Sequence, residues 1–253
     1  MRSAGRPLPA LMSDAAGALS LAFAGLLARP LMFLVFLAIL AAANLMRFWI
    51  GVQGGSDTAA IVRAAGWLFL IVRTFVNLWL HVATMRVLDQ PQLPWRDAFR
   101  VEPIAAGWLH LIAAASLLTI GIRLWLGQGA GGLFVPAVMT GGTAIGIAVG
   151  LGLTYFIFLP LQPGFARVLL RREPTPVRWS LAAIRGQYLY NWALVMLICY
   201  PPALARMLAF GGLKAESATS MIATALIDGA MSVLLMLLAT SVYLGAYRRA
   251  EAR

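Results

Sequence analysis

Residues 222–247 read IATALIDGAMSVLLMLLATSVYLGAY, and Arg248 and Arg249 follow directly. One ionisable residue, Asp228, interrupts a run that is otherwise free of charge. About 20 apolar residues suffice for a helix to cross the hydrocarbon core of a bilayer. A lone run in lipid satisfies its backbone only as a helix, because no water is there to take the peptide groups. The stretch therefore predicts a membrane span that ends on paired arginines.

Five further segments have the same character: 30–49, 59–86, 104–126, 136–160 and 191–210. Composition agrees, with 61% hydrophobic and only 11% charged residues in 253. A soluble domain carries about 25% charged residues, so a soluble globular protein is excluded, and a chain this apolar is not disordered. Trp49, Trp125 and Trp192 sit near segment ends, as interfacial anchors do. Leu31 to Leu40 followed by Ala41-Ala42-Ala43 has the look of a signal peptide, but the apolar run continues through Trp49, so an uncleaved first span is expected. The fold class is thus an all-α integral membrane protein of six transmembrane helices, with residues 1–253 forming a single polytopic domain.

The net charge is +11, from 20 basic residues against 9 acids, and Lys214 is the one lysine. Grouping the N-terminus, the linkers 86–102 and 161–190 and the C-terminal tail on one side collects 14 of the 20 basic residues. The opposite loops, 50–58, 127–135 and 211–221, hold only Lys214. By the positive-inside rule both termini face the cytoplasm of a bacterial inner membrane. Anionic headgroups are the expected counter-charge, and no nucleic-acid module is present.

The spans also repeat. Arg86, Arg167 and Arg248 end the second, fourth and sixth, each 81 residues after the last. The outer loops carry Gly54-Gly55, Gly131-Gly132 and Gly211-Gly212. Trp95-Arg96-Asp97-Ala98 and Trp179-Ser180-Leu181-Ala182 match in the linkers, and Ser13-Asp14-Ala15-Ala16 holds that place before the first span. The unit is a short amphipathic helix, a span, a glycine-rich turn and a second span. Three divergent units, 13–92, 93–174 and 175–253, fill the chain. Each has an even number of spans, so the repeats are parallel and any pseudo-axis lies along the membrane normal. The linker helices 13–28 and 177–190 lie in the headgroup plane or pack together as cytoplasmic caps.

The residues Trp95 to Arg100, Arg167 to Leu170 and Trp179 to Arg185 resemble the polytopic membrane domain of bacterial glycerophosphodiester phosphodiesterases and of related stand-alone membrane proteins. The resemblance implies architecture and membrane residence. The chemistry of those enzymes belongs to a separate soluble barrel with metal-binding carboxylates, so no activity or site residue transfers.

Ionisable residues inside a membrane are functional candidates, since an arginine at mid-bilayer costs about 2.5–3.5 kcal/mol on insertion scales. Arg73, Asn77 and His81 follow at i, i+4 and i+8 and share one helical face. They form either an anion-binding or substrate-binding stripe or a hydrogen-bond network between spans. Asp228 shares its depth with Arg123 and Arg206, and a buried ion pair is expected because an isolated charge is costly; Arg123 is the first-choice partner and Arg206 the second. A proton-coupling carboxylate is the sharper reading. Gly142, Gly146 and Gly150 make a tandem small-residue stripe for helix packing, within the bundle or in a homo-oligomer. Pro201-Pro202 should kink the fifth span, as a gate or merely as a shape. Cys199 is a core residue. His81, His110 and Glu102 make too thin a set for a metal. No catalytic motif, metal site or cofactor is expected.

These observations favour a non-enzymatic scaffold or accessory protein that organises lipid, a homo-oligomer or a membrane-protein partner. The alternative is a transporter or lipid-handling protein built on the Arg73 stripe.

Overall fold

The computed structural model describes residues 8–53, 59–125, 141–211 and 217–252, and the side chains of Arg73 and Arg123 lie outside the described ones. Among the described residues ten α-helices follow one another: α1 (Leu8–Ala28), α2 (Pro30–Gln53), α3 (Ala59–Asp89), α4 (Trp95–Phe99), α5 (Pro103–Trp125), α6 (Gly141–Phe158), α7 (Gln162–Arg171), α8 (Val177–Ile184), α9 (Tyr188–Gly211) and α10 (Ala218–Glu251). A 3-10 turn, Leu159–Leu161, joins α6 to α7. No strand occurs among the described residues.

Four helical stretches are long and apolar enough to cross a membrane among the described residues: Ala10–Ala28, Val149–Arg171, Tyr188–Arg206 and Ala218–Glu251. Pro30–Met46 and Pro103–Thr119 are shorter apolar helices. Two boundaries differ from expectation. The helical run from Gly141 continues to Arg171 rather than stopping at 160. The first linker helix spans Leu8–Ala28, longer than the expected 13–28, and by length and hydropathy alone it could cross a bilayer.

α10 is the spine. It packs against α1, α2, α3, α7 and α9. Its start is set by Ser217, whose Oγ accepts from the Ser220 N–H at 3.2 Å while the Ser220 hydroxyl oxygen accepts from the Ser217 N–H at 3.1 Å. This reciprocal cap satisfies two donors that a helix start leaves open. Further along, α2 crosses so closely that a Cβ on Gly229 would stand 3.0 Å from Leu37 Cδ1 and 3.1 Å from the Leu37 carbonyl oxygen. Backbone cannot yield as a side-chain tip can, so the crossing requires glycine there.

α1 and α2 are separated by one residue, Arg29. Pro30 disfavours a helical conformation at the residue before it, which ends α1. The Arg29 guanidinium then donates to the carbonyls of Pro91 at 2.8 Å and Leu93 at 2.9 Å, fastening the α3–α4 linker. α1 lies along α10, with Asp14 near Arg249 and with Ala22, Phe23 and Leu26 against Leu234, Leu237 and Leu238.

The α6–α7 bend has two causes. Pro160 and Pro163 withhold backbone donors, and the Phe156 carbonyl freed by Pro160 accepts the Tyr188 hydroxyl at 2.5 Å. The buried Ser180 hydroxyl of α8 also enters the ladder, accepting from the Gly164 N–H at 2.8 Å and donating to the Pro160 carbonyl at 2.7 Å. Insertion of a side chain into the i→i−4 ladder is a recognised source of helix bending. α8 is thereby hooked onto the bend.

Arg86 closes the linker end of the bundle. It is buried, and its guanidinium donates to the carbonyls of Asp97 (2.8 Å), Arg100 and Leu169 (3.5 Å). Lysine is a point charge and cannot fork across these acceptors. Arg86→Lys is expected to lower stability by about 2 kcal/mol, the worth of a charge-assisted hydrogen bond. Thermal unfolding in mild detergent checks this; an unshifted melting point would mean the fork contributes nothing.

Candidate functional site

α3 carries the stripe Arg73, Asn77 and His81 on one face. Asn77 is half-buried, and the Arg73 side chain lies outside the described ones. His81 is where helices meet. Its Nδ1 lies 2.9 Å from Thr240 Oγ1 of α10, and its Nε2 lies 3.1 Å from Gln162 Oε1 at the start of α7. The ring stacks on Phe165 of α7 at 5.9 Å and takes Tyr243 of α10 edge-on at 5.8 Å. With Nε2–H donating to the Gln162 carbonyl oxygen, Nδ1 accepts the Thr240 hydroxyl proton, a tautomer that satisfies both nitrogens of a neutral imidazole. Both ring nitrogens therefore have protein partners.

The numbering of this cluster is informative. His81, Gln162 and Tyr243 are each 81 residues apart, the interval that separates Arg86, Arg167 and Arg248. Contacts at the helix ends fall near this interval or near twice it, at separations of 83, 80 and 159 residues. Arg86 of α3 donates to the Leu169 carbonyl of α7. Arg171 of α7 pairs with Glu251 of α10 at 3.1 Å. Arg248 of α10 pairs with Asp89 of α3 at 2.9 Å. In each case an arginine near the end of one helix reaches the end of the next, and the third contact returns to the first helix.

Arg167 and Arg249 add contacts with the linker helices. Arg167 pairs with Glu173 at 2.6 Å and lies 4.6 Å over the Trp179 ring of α8. Arg249 donates to Asn191 Oδ1 at 2.5 Å and reaches Asp14 at 3.4 Å, and Asp14 also accepts the Tyr190 hydroxyl at 2.7 Å. The repeated arginines thus hold carbonyls, carboxylates and a ring of their own chain. Sequence reading missed these partners because backbone carbonyls carry no residue signature. The interval was the available signal: applied to His81, it lands on Gln162 and Tyr243.

The other candidates fall elsewhere. Asp228 of α10 is paired with Arg206 of α9, the second-choice cation. His110 is exposed on α5 and is not among the partners of His81. Glu102 pairs with Arg172 at 2.9 Å. Among the described residues no group of three or more His, Cys, Asp and Glu is placed to hold a metal. Gly150 is buried in α6, whereas the packing at Gly142 and Gly146 lies outside the described residues. α9 contacts α6 at Gly152, whose carbonyl accepts Trp192 Nε1 at 2.9 Å. Pro201 and Pro202 lie inside a helix that continues through them. Cys199 is wholly buried in the core.

No protein-family model, curated protein or solved structure matches the chain.

Proposed function

We propose that the chain is a non-enzymatic scaffold or accessory protein of the bacterial inner membrane, organising lipid or partner membrane proteins. One observation carries this reading. The polar groups best placed to meet a ligand, His81 and the arginines at the helix ends, are engaged in joining α3, α7 and α10 to one another. Buried polar groups satisfied by protein partners fix a unique packing, and neither ring nitrogen of His81 is left for a substrate.

In this reading six helices span the membrane: α2, α3, α5, the α6–α7 run, α9 and α10. α1 does not add a seventh. Antiparallel helices need a connection of about 2–5 residues, and α1 meets α2 through Arg29 alone. Continued straight, the two would form a rod of roughly 70 Å at 1.5 Å per residue, more than twice a hydrocarbon core of about 30 Å. α1 then packs on α10, from its Arg249 end toward Leu234, without crossing as a separate span, whereas α4 and α8 lie along the headgroup layer. The 81-residue spacing of His81, Gln162 and Tyr243 supports three parallel two-span units arranged around one axis. Heterologous contacts of one kind close into a ring when the rotation allows, and the series from Arg86, Arg171 and Arg248 has that form. The arginine-rich linkers and both termini face the cytoplasm. The resemblance to the membrane domain of glycerophosphodiester phosphodiesterases agrees with a membrane part that works without its own chemistry.

Mass spectrometry of the protein released from native lipid, beside Arg73→Ala, tests the function. The expected result is no stoichiometric metabolite, with oligomer or partner mass unchanged by the substitution. An anionic small molecule bound one to one and lost in Arg73→Ala would overturn the scaffold reading in favour of transport or lipid handling.

A further inference from the structure

We infer that α8 is a docking helix for anionic phospholipid, with Arg178 and Arg185 on headgroup phosphates and Val177 and Leu181 in the upper acyl layer. The inference rests on the reading of the chain as a bilayer protein with its linkers in the headgroup layer, and it assigns one helix the lipid contact.

The two faces of α8 differ in kind. Ser180 and Ile184 are buried against the α6–α7 bend. The adjoining sector carries Val177, 40% exposed, and Leu181, 49% exposed, one turn apart. Arg178 and Arg185, also exposed, lie two turns apart beside them. At 100° per residue the apolar pair and the basic pair occupy adjoining sectors, as in helices whose apolar edge dips below a charged one at a membrane surface. α8 contains no acid, and among the described residues neither Arg178 nor Arg185 has an acidic partner. By contrast, Arg167, Arg171, Arg172, Arg206, Arg248 and Arg249 are each paired with a carboxylate. The arginines of α8 thus need an external anion, and the adjoining apolar strip makes an amphiphilic anion the complementary partner.

The helix is also held in place beforehand. The Ser180 hydroxyl bridges Gly164 and Pro160, and Trp179 is covered by Arg167. Docking therefore costs little ordering of α8. α1 is a natural contrast, because Leu8–Ala28 contains no basic residue and Asp14 is its single acid.

The test uses the full chain in vesicles of phosphatidylcholine with or without phosphatidylglycerol. Spin labels are placed at Leu181→Cys and, as a mid-span reference, at the exposed Leu197→Cys, with Cys199 changed to alanine. Preference for spin-labelled phosphatidylglycerol over phosphatidylcholine is measured for the parent and for Arg178→Gln/Arg185→Gln. Expected are a Leu181 label reached by oxygen rather than by a water-soluble relaxant, and a preference reduced by up to roughly thirtyfold in the double variant, the scale of two arginines at headgroup level. A water-exposed Leu181 label with Leu197 in hydrocarbon overturns the assignment and leaves the bilayer reading intact. Water exposure at both sites overturns both. An acyl-level Leu181 label with unchanged lipid preference overturns the anionic specificity, and an acidic protein bound at α8 in place of lipid overturns the assignment as a whole.

Discussion

Arg206→Met lowers the unfolding free energy by about 3–5 kcal/mol, the usual cost of removing one member of a buried ion pair. The Asp228 side chain is only 8% exposed and that of Arg206 28%, so water cannot take over the carboxylate when the guanidinium is gone. Thr224, Ala225 and Gly229 are the buried neighbours of Asp228 on the same helix. The companion experiment is Arg206→Met with Asp228→Leu. Buried pairs replaced by apolar residues of similar volume are often neutral or better, so the double variant should return to within about 1 kcal/mol of the parent. Unfolding by anionic detergent titrated into neutral micelles reads both. If the double variant is as damaged as the single one, Asp228 is not serving as a structural ion-pair partner and the proton-coupling reading regains ground.

Gly164→Ala is the second large effect. Its Cβ would stand 2.4 Å and 2.6 Å from ring atoms of Trp108 and 2.8 Å from Ser180 Cβ. Trp108 cannot swing aside freely, because its Nε1 donates to the Thr175 carbonyl at 2.9 Å. Overpacking of this kind costs about 1–3 kcal/mol, and the upper end is expected because the Ser180 hook is strained as well. The signature is local: α8 should loosen, exposing the bonds after Arg178 and Arg185 to trypsin before the rest unfolds. Ser180→Ala should be milder, since it removes a bridging hydroxyl without introducing a clash. Equal trypsin sensitivity in the two variants would count against the clash as the cause.

Long apolar helices were readable from hydropathy because lipid leaves a backbone few options. Their ends were less readable. The fourth span was expected to end at 160, yet the helical run resumes, with Tyr188 taking up the Phe156 carbonyl that Pro160 releases and Ser180 bridging the Gly164 N–H and the Pro160 carbonyl. The depth of Asp228 pointed to cations at the same level, and Arg206, one of the two candidates, stands beside it, while the side chain of Arg123, the other, lies outside the described ones. The stripe on α3 was visible as a spacing, whereas the filling of its His81 end by Gln162, Thr240, Phe165 and Tyr243 depends on two distant helices arriving at one level. The arginine interval was visible too, but the groups those arginines hold include backbone carbonyls, which every residue has.

The three contacts between helix ends cannot form in any order. A chain is made N-terminus first, so Arg86 can find the Leu169 carbonyl as soon as α7 has been inserted. Arg171 must wait for Glu251, and Asp89 for Arg248. His81 likewise can hold Gln162 early but meets Thr240 and Tyr243 only at the end of synthesis. Until α10 arrives, the nascent protein therefore keeps an arginine on α7, an aspartate on α3 and a half-satisfied imidazole at membrane level. These are the features by which a quality-control protease could tell an unfinished molecule from a finished one, and α10 is the element that supplies their partners.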